Sequence, residues 1–139
     1  MIIVYNLTQY KFPQSQIDRL HKKLFLHFRI VPDHILELIL VNKSLIKKIN
    51  YQYLQHNEST DVLSFPVDNT HLKNNKIGAI FGSIYLCPDF IKIQDQGVVD
   101  YKPYIIHGFI HLLGYNHYSQ KEKKQWSQIL KKITNFTTL

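Results

Sequence analysis

Apolar residues gather in four runs of β-strand length along the chain, at residues 2–7, 34–41, 61–67 and 77–86. The second run is strongly apolar and predicts a central strand. Pro66 places the third run at an edge of the sheet or ends it there, because proline cannot donate to a strand ladder. Gly78 and Gly82 in the fourth run indicate a bulge or a close approach of another part of the chain.

Helical periodicity fills the stretches between and after these runs. Five segments show it, at residues 13–28, 43–53, 88–94, 101–113 and 120–133. Pro13 suits the start of the first segment, and Asn42 is suited to cap the second. Gly97 marks a turn, and residues 68–76 read as a polar loop. In the last segment we expect one face to point inward, formed by Trp126, Ile129, Leu130 and Ile133.

The predicted order of elements defines a fold class. It runs strand, helix, strand, helix, strand, strand, helix, helix, helix. This order indicates an α+β domain with a mixed sheet of about four strands packed against helices. The length of 139 residues suits one domain, which we expect to span residues 1–139, and 45% hydrophobic residues are enough for a core.

Cysteine usage and hydropathy indicate the cellular compartment of the protein. The single cysteine, Cys87, excludes an internal disulfide and fits a reducing compartment. It stands between an apolar run and Pro88, so we expect a small buried residue rather than a ligand. The first residues lack the basic stretch and cleavage site of a signal peptide, and no apolar run reaches the roughly 18 residues of a membrane span. We therefore expect a cytoplasmic protein with no membrane partner.

The net charge of +7 favours an anionic partner such as nucleic acid. Among the 17 cationic residues, only Arg19 and Arg29 are arginines. Arginine is the better fork for phosphate, and lysine-rich faces are common in proteins that bind no nucleic acid. Charge alone therefore leaves nucleic-acid binding and a solvated lysine surface equally open.

The candidate chemistry is densest at residues 107–117, which read His-Gly-Phe-Ile-His-Leu-Leu-Gly-Tyr-Asn-His. His107 and His111 share one helix face because they stand four residues apart. Gly114 lets the chain turn, so His117 can return as a third ligand. Three imidazoles with an open position are typical of a catalytic zinc site, although ligand type leaves nickel and copper open. The alternative is a set of packed or surface histidines.

The residue after the first histidine separates this motif from that of the metzincin proteases. Those enzymes carry Glu there as general base, whereas this chain carries Gly108, which cannot accept a proton. Proteolysis is therefore disfavoured, and no protein base is identified. Zinc would lower the pKa of its bound water to near 7 and polarise a phosphoryl oxygen. Attack by metal-bound water and attack by a hydroxyl of the substrate both stay open.

With glycine in that place, the segment resembles the YbeY family of metal-dependent endoribonucleases, also called rRNA maturation factors, which carries H-G-x-L-H-L-x-G-Y-D-H. Residues 59–66, Ser-Thr-Asp-Val-Leu-Ser-Phe-Pro, resemble the family's P-T-D-V-L-S-F-P. Asn50 and Tyr53 fit its L-N-x-x-Y-R segment, and residues 81–84 stand where it has L-G-D-I. The resemblance implies the same layout, with the metal at one end of a cleft between sheet and helices.

Three positions depart from the family's pattern. Leu54 replaces its Arg, Ser83 replaces the Asp of L-G-D-I, and Asn116 replaces the acidic residue before the third histidine. Asn116 can still accept a hydrogen bond behind a ligand histidine, and we place it with Ser83 as a candidate cleft residue. His56 is the only nearby group able to carry positive charge, or it is an ordinary loop histidine. Asp61 points into the cleft or bonds backbone amides at a strand entry.

Three aromatic residues beside these motifs have two interpretations each. Tyr115 and Tyr118 flank the last histidine, where they could stack on RNA bases or pack around the loop. Phe65 is more typical of a core than of a stacking platform. The sequence leaves both interpretations open for the two tyrosines.

The resemblance implies a zinc-dependent, single-strand-preferring endoribonuclease acting in rRNA processing and ribosome maturation. It would hold one zinc ion through His107, His111 and His117, with rRNA as substrate and contacts to the small ribosomal subunit. The alternative is an RNA-binding ribosome-assembly factor with a chiefly structural metal and weak or no cleavage. Salt-dependent RNA binding without turnover would favour that alternative. Cleavage of small phosphodiesters but not RNA would favour a third class, a hydrolase of other phosphodiesters.

Overall fold

The computed structural model describes residues 1–67, 80–94, 97 and 99–137. Four strands lie in this part of the chain: β1 (Ile2–Asn6), β2 (Ile35–Leu40), β3 (Val62–Pro66) and β4 (Ile80–Leu86). Five helices lie there too: α1 (Gln14–His27), α2 (Lys43–Leu54), α3 (Pro88–Gln94), α4 (Lys102–Leu112) and α5 (Gln120–Thr137). The predicted order of elements and the α+β class are confirmed. The predicted loop at residues 68–76 and Gly78 lie outside the described residues.

The strands form one mixed sheet in the order β1-β2-β4-β3. β1 and β4 run parallel to β2, and β3 pairs antiparallel with β4. Pro66 ends the edge strand β3, where its missing N–H costs no ladder hydrogen bond. The register between β2 and β4 shifts between Ile35 and Leu36, and Leu36 faces Gly82. The irregularity predicted around Gly82 is therefore present.

One face of the sheet carries the main core. Side chains alternate along a strand, so Leu36, Leu38 and Leu40 of β2 share this face, and all three are fully buried. Ile84 of β4 and Phe109 of α4 are fully buried in the same cluster. Helices α1, α3, α4 and α5 add further buried residues to this cluster, so the segment with the histidine motif is anchored by core packing.

Two glycines let α4 lie close to β4. A Cβ atom at Gly82 would lie 2.6 Å from Cδ2 of Leu112, and one at Gly108 would lie 3.1 Å from Cδ1 of Ile84. Both distances are shorter than an ordinary van der Waals contact between carbon atoms. The close approach predicted at Gly82 is therefore confirmed, and Gly108 makes a second one inside the motif itself.

The other face of the sheet is covered in part by α2. A smaller buried cluster lies there, formed by Val41, Ile46, Leu63 and Cys87. Asn42 caps α2 as predicted, because its Oδ1 accepts a hydrogen bond from the Leu45 N–H at 2.8 Å. Cys87 is a free, fully buried thiol, which confirms its prediction as a small core residue.

The last helix, α5, continues beyond its predicted end at residue 133 to Thr137. Trp126 and Ile133 are buried, and Ile129 is half-buried, as predicted. Leu130 is 40% exposed, so its predicted inward position is wrong. Leu130 instead lines a groove between α1, α4 and α5, so its side chain is open to solvent there. Within the described helices, none combines the length and apolar character that crossing a membrane requires.

Candidate metal centre

Three histidines converge at the end of α4. His107 and His111 lie one turn apart, with ring centroids separated by 4.9 Å. The chain reverses at Gly114, whose φ of +98° lies in the left-handed region that glycine adopts readily. His117 thereby returns, with its ring 5.3 Å from that of His107 and 5.1 Å from that of His111. One nitrogen from each residue can be chosen so that all three lie within 4.8 Å of one another.

The indole of Trp126 contacts all three imidazoles. Its ring centroid lies 4.8 Å from that of His107, 4.6 Å from that of His111 and 4.7 Å from that of His117. The indole therefore limits the rotation of three rings at once. The sequence placed Trp126 on the inward face of its helix but did not reveal this contact, because it joins α5 to a motif on α4.

The start of α5 is set by a capping box that follows the third histidine directly. The Ser119 hydroxyl accepts from the Glu122 N–H at 3.1 Å, and the Glu122 carboxylate accepts from the Ser119 N–H at 3.0 Å. This reciprocal pair fixes where the loop with His117 ends and where α5 begins. The spacing Ser-x-x-Glu is the sequence signal that could have linked Trp126 to the cluster.

A backbone hydrogen bond orients His111. Its Nδ1 lies 3.0 Å from the carbonyl oxygen of Tyr115. A carbonyl oxygen can only accept, so Nδ1 carries the proton and Nε2 keeps the free lone pair. Metal-binding histidines commonly bond a carbonyl in this way through the nitrogen that does not bind the metal. His111 is therefore held in the tautomer that presents Nε2 as a ligand atom.

The environment keeps two of the imidazoles neutral. Burial lowers the pKa of His107, and the neighbouring histidines lower it further against a smaller opposing effect of Asp61. Burial also lowers the pKa of His111, against hydrogen bonds to a backbone carbonyl and to the Asn116 side chain. A neutral imidazole is the form that binds a metal ion, so these rings need not lose a proton near neutral pH.

The histidines line an open cavity of about 570 Å³. Leu54, His56, Asp61 and Asn116 line the same cavity, so the structure brings these predicted positions together. Leu54 is 47% exposed, and His56 is exposed. The Asp61 carboxylate accepts from the Val62 N–H at 2.7 Å, so Asp61 bonds a backbone amide at the strand entry while also lining the cavity.

Ser83 lies away from this cavity, contrary to the expectation that placed it in the cleft. Its neighbours Gly82 and Ile84 face α4, so alternation along β4 turns Ser83 to the opposite face of the sheet. There its hydroxyl donates to Oε1 of Glu37 at 2.8 Å. The sequence match to L-G-D-I predicts where Ser83 stands along the chain, but it does not predict which face of the sheet its side chain takes.

The three aromatic residues take different places. Tyr115 is half-buried against the main core, which favours its packing interpretation. Phe65 lies between Tyr53 and Tyr85, with ring centroids 5.4 and 5.6 Å away, beside the smaller cluster. Tyr118 is 76% exposed at the cavity and remains available to a stacking base.

The donor set fits a transition-metal ion. Three imidazoles converge, and within the part of the chain that the structure describes no further His, Cys, Asp or Glu joins the group. Structural zinc sites use four protein ligands, whereas catalytic sites use three and keep one position for water or substrate. The cluster therefore has the composition of a catalytic site, and it faces a cavity that is open to solvent.

The fold and the cluster together define a class: a small α+β protein with a three-histidine candidate metal centre on a helix packed against its sheet. A family model described as Endoribonuclease YbeY matches residues 4–137. The chain belongs to the YbeY family, which confirms the resemblance drawn from the motifs.

Relatives and a solved structure agree with this assignment. The Endoribonuclease YbeY of Acholeplasma laidlawii is 31% identical over 95% of this chain and 94% of its own length. That of Wigglesworthia glossinidia brevipalpis is 34% identical over 78% of this chain and 72% of its own length. The solution structure of TM1509 from Thermotoga maritima covers 96% of this chain and 89% of its own, with a TM-score of 0.53 at 23% identity. This last likeness supports the fold.

Proposed function

We propose that this protein is a zinc-dependent endoribonuclease that prefers single-stranded RNA and acts in rRNA processing and ribosome maturation in the cytoplasm. The observation that carries the proposal is the convergence of His107, His111 and His117 at an open cavity. Membership of the YbeY family, whose relatives are named endoribonucleases, supports RNA as the substrate. Contacts with the small ribosomal subunit belong to the same proposal.

In this proposal, residues 1–139 form one domain. Its residues His107, His111 and His117 would hold the zinc ion. Zinc bound there would supply Lewis-acid chemistry to a phosphodiester. The Tyr115 carbonyl fixes the His111 tautomer, and the Trp126 indole packs against all three rings. These contacts keep the rings aligned before substrate arrives, which is the main contribution that a protein makes at such a centre.

The cavity offers little positive charge of its own. No Lys or Arg is among the described residues that line it, and Leu54 occupies the rim where the family pattern has Arg. Apart from the three clustered histidines, His56 is the only described lining residue that can become cationic. Charge that develops on a phosphoryl group would therefore receive weaker support from side chains than in a relative with the Arg.

The same observation favours a second candidate function. With Leu54 and Asn116 in place of charged residues, the chain could bind RNA during ribosome assembly and cleave it weakly or not at all. The cluster would then hold a chiefly structural metal. The two functions differ in turnover rather than in binding, so a cleavage assay separates them.

Cleavage of single-stranded and duplex RNA by the zinc-loaded protein tests the proposal. His111→Ala is the inactive variant, and His27→Ala, which changes an exposed histidine outside the cavity, is the matched control. We expect the wild type and the His27 variant to cut single-stranded RNA and the His111 variant to leave it intact. Absence of cleavage by folded, zinc-loaded wild type would reject the nuclease in favour of the assembly factor.

A further inference from the structure

A groove of about 830 Å³ lies between α1, α4 and α5. It adjoins the metal centre, because His107 lines both the groove and the metal cavity. Trp126, which contacts the three imidazoles, lines the groove as well. The groove and the metal cavity therefore meet at His107.

The charge of the groove contrasts with that of the metal cavity. Arg19 and Lys23 of α1 and Lys102 at the start of α4 line it, together with the single carboxylate of Asp100. Three cations and one anion give the described lining a net charge of +2. The metal cavity has no Lys or Arg among its described lining residues. Cationic side chains thus line the groove beside the metal centre and not the described lining of the metal cavity itself.

The groove also has apolar surface. Leu130 of α5, which is 40% exposed, lines it, and the buried side chains of Leu20 and Ile106 form part of its floor. Unpaired bases present flat apolar faces that duplex RNA keeps stacked inside the helix. Cationic side chains that bind phosphates, next to apolar surface that contacts bases, suit a single strand better than a duplex.

We propose that this groove binds the sugar-phosphate backbone of single-stranded RNA next to the segment at the metal centre. The exposed side chains of Arg19 and Lys102 would contact phosphates, and the exposed face of Leu130 would contact a base. The proposal rests on the proposed function, because RNA is its occupant. It assigns the binding of flanking nucleotides to α1 and α4, and it accounts for a metal cavity that has little charge of its own.

Salt dependence of RNA binding is the test, because each phosphate contact on a single strand adds about 0.7 to the slope of log affinity against log salt. Binding of a single-stranded RNA oligonucleotide is measured over a salt series with protein that carries His111→Ala, so that the RNA stays intact. In this background, Arg19→Gln with Lys102→Gln should lower the magnitude of the slope by about 1.4. Lys22→Gln with Lys92→Gln removes the same charge from exposed sites outside the groove and should leave the slope unchanged.

A charge-conserving pair separates charge from folding. Arg19→Lys with Lys102→Arg should keep the parent slope, and all variants should keep the parent melting temperature because both side chains are exposed. Equal slopes for the groove variant and the parent would overturn the proposal, as would a parent that binds no RNA. Cleavage is scored separately on protein with His111 intact. Cleavage with unchanged slopes rejects the groove alone, and a lowered slope without any cleavage rejects the nuclease while supporting the groove as an RNA site.

Discussion

Two groups of histidines in this protein differ in arrangement: three half-buried residues form a cluster, and two buried residues stand apart. His107, His111 and His117 bring one nitrogen each to within 4.8 Å of the others at an open cavity. His21 and His34 are 8% and 2% exposed in the body of the fold. His21 packs on Phe25 with ring centroids 4.2 Å apart, and its Nε2 has no hydrogen-bond partner among the described residues.

The direction of the pKa shift does not distinguish His107 and His111 from His21. Burial lowers the pKa of His107 and His111, and it lowers that of His21 to about 4. All three are therefore neutral near pH 7, the form that a metal requires. Convergence separates them: the cluster offers three nitrogens at one point, whereas His21 offers one against a phenyl ring. Burial of a histidine is thus weak evidence for a metal site, and geometry is strong evidence.

Loss of one clustered histidine should have the largest effect. Replacing even a supporting partner of a metal ligand costs about 10- to 100-fold in affinity, so His111→Ala should weaken zinc binding by more than about 100-fold. His21→Leu removes a buried histidine outside the cluster and should leave zinc affinity unchanged. Titration calorimetry with zinc measures both. Equal losses of zinc affinity in the two variants would show that the clustered histidines do not differ from His21 as metal ligands.

The buried His21 should instead control stability at acidic pH. Its pKa is about 4 in the folded chain against 6.5 ordinarily, mainly through burial and then through the Met1 amino group, with Asp18 opposing. Between these values the unfolded chain binds more protons, so the stabilisation is complete above pH 6.5 and is lost as the pH falls towards 4. At about 1.4 kcal/mol per pKa unit, the full loss is about 3 kcal/mol.

Urea denaturation of metal-free protein between pH 7 and 4 measures this loss. His21→Leu should flatten the decline relative to the wild type, and the decline that remains belongs to groups such as His107 and His111. An unchanged decline in the His21 variant would show that this ring gains its proton without cost in the folded protein.

Substitution of Gly108 tests how far the histidine cluster depends on the close packing of α4 against β4. Gly108→Ala should destabilise the fold by about 1–3 kcal/mol, because the new methyl would meet the Ile84 side chain at 3.1 Å. Zinc affinity should fall too, since α4 carries His107 and His111. Ile84→Val removes one of the contacting methyl groups, so the double variant should recover part of both losses. Urea denaturation and zinc titration report the two effects, and full tolerance of Gly108→Ala would show that α4 can shift freely.

Asn116→Asp should increase the affinity of the histidine cluster for zinc. The Asn116 side chain lines the cavity with His111 and opposes the lowering of the pKa of that ring, and a carboxylate there would raise the basicity of the ring more than an amide does. Zinc should bind up to about 10-fold more tightly at neutral pH. Competition against a chelator measures this gain, with Asn135→Asp on α5 as the control for added charge. Weaker binding in the Asn116 variant would show that this side chain does not support the ligand.

Leu54→Arg should have the smallest effect. The new guanidinium would stand at the rim of the cavity, where solvent screens its charge, so we expect RNA cleavage to rise by less than about 10-fold. Single-turnover cleavage by zinc-loaded protein measures the change. Gln52→Arg, at an exposed position on the same helix, is the control. No change or a loss on Leu54→Arg would show that missing positive charge does not limit the reaction.

Much of the fold and part of the site follow from local spacing. The apolar runs predicted all four strands and their order with the helices, and Asn42 predicted the start of α2. Histidines four residues apart must share a helix face, and Gly114 permits the reversal that returns His117. These relations involve neighbours along the chain, so the amino-acid sequence by itself determines them.

The remaining features depend on which distant segments meet. Ser83 turns away from the cavity because Gly82 and Ile84 must face α4, and Leu130 stays exposed because α1 and α4 border a groove beside it. The contact of Trp126 with three imidazoles likewise joins two helices. Such contacts arise from the packing of whole elements against one another, which no periodicity within one segment encodes. The sequence determined the ligands of the candidate metal centre, and the tertiary structure decided what supports and surrounds them.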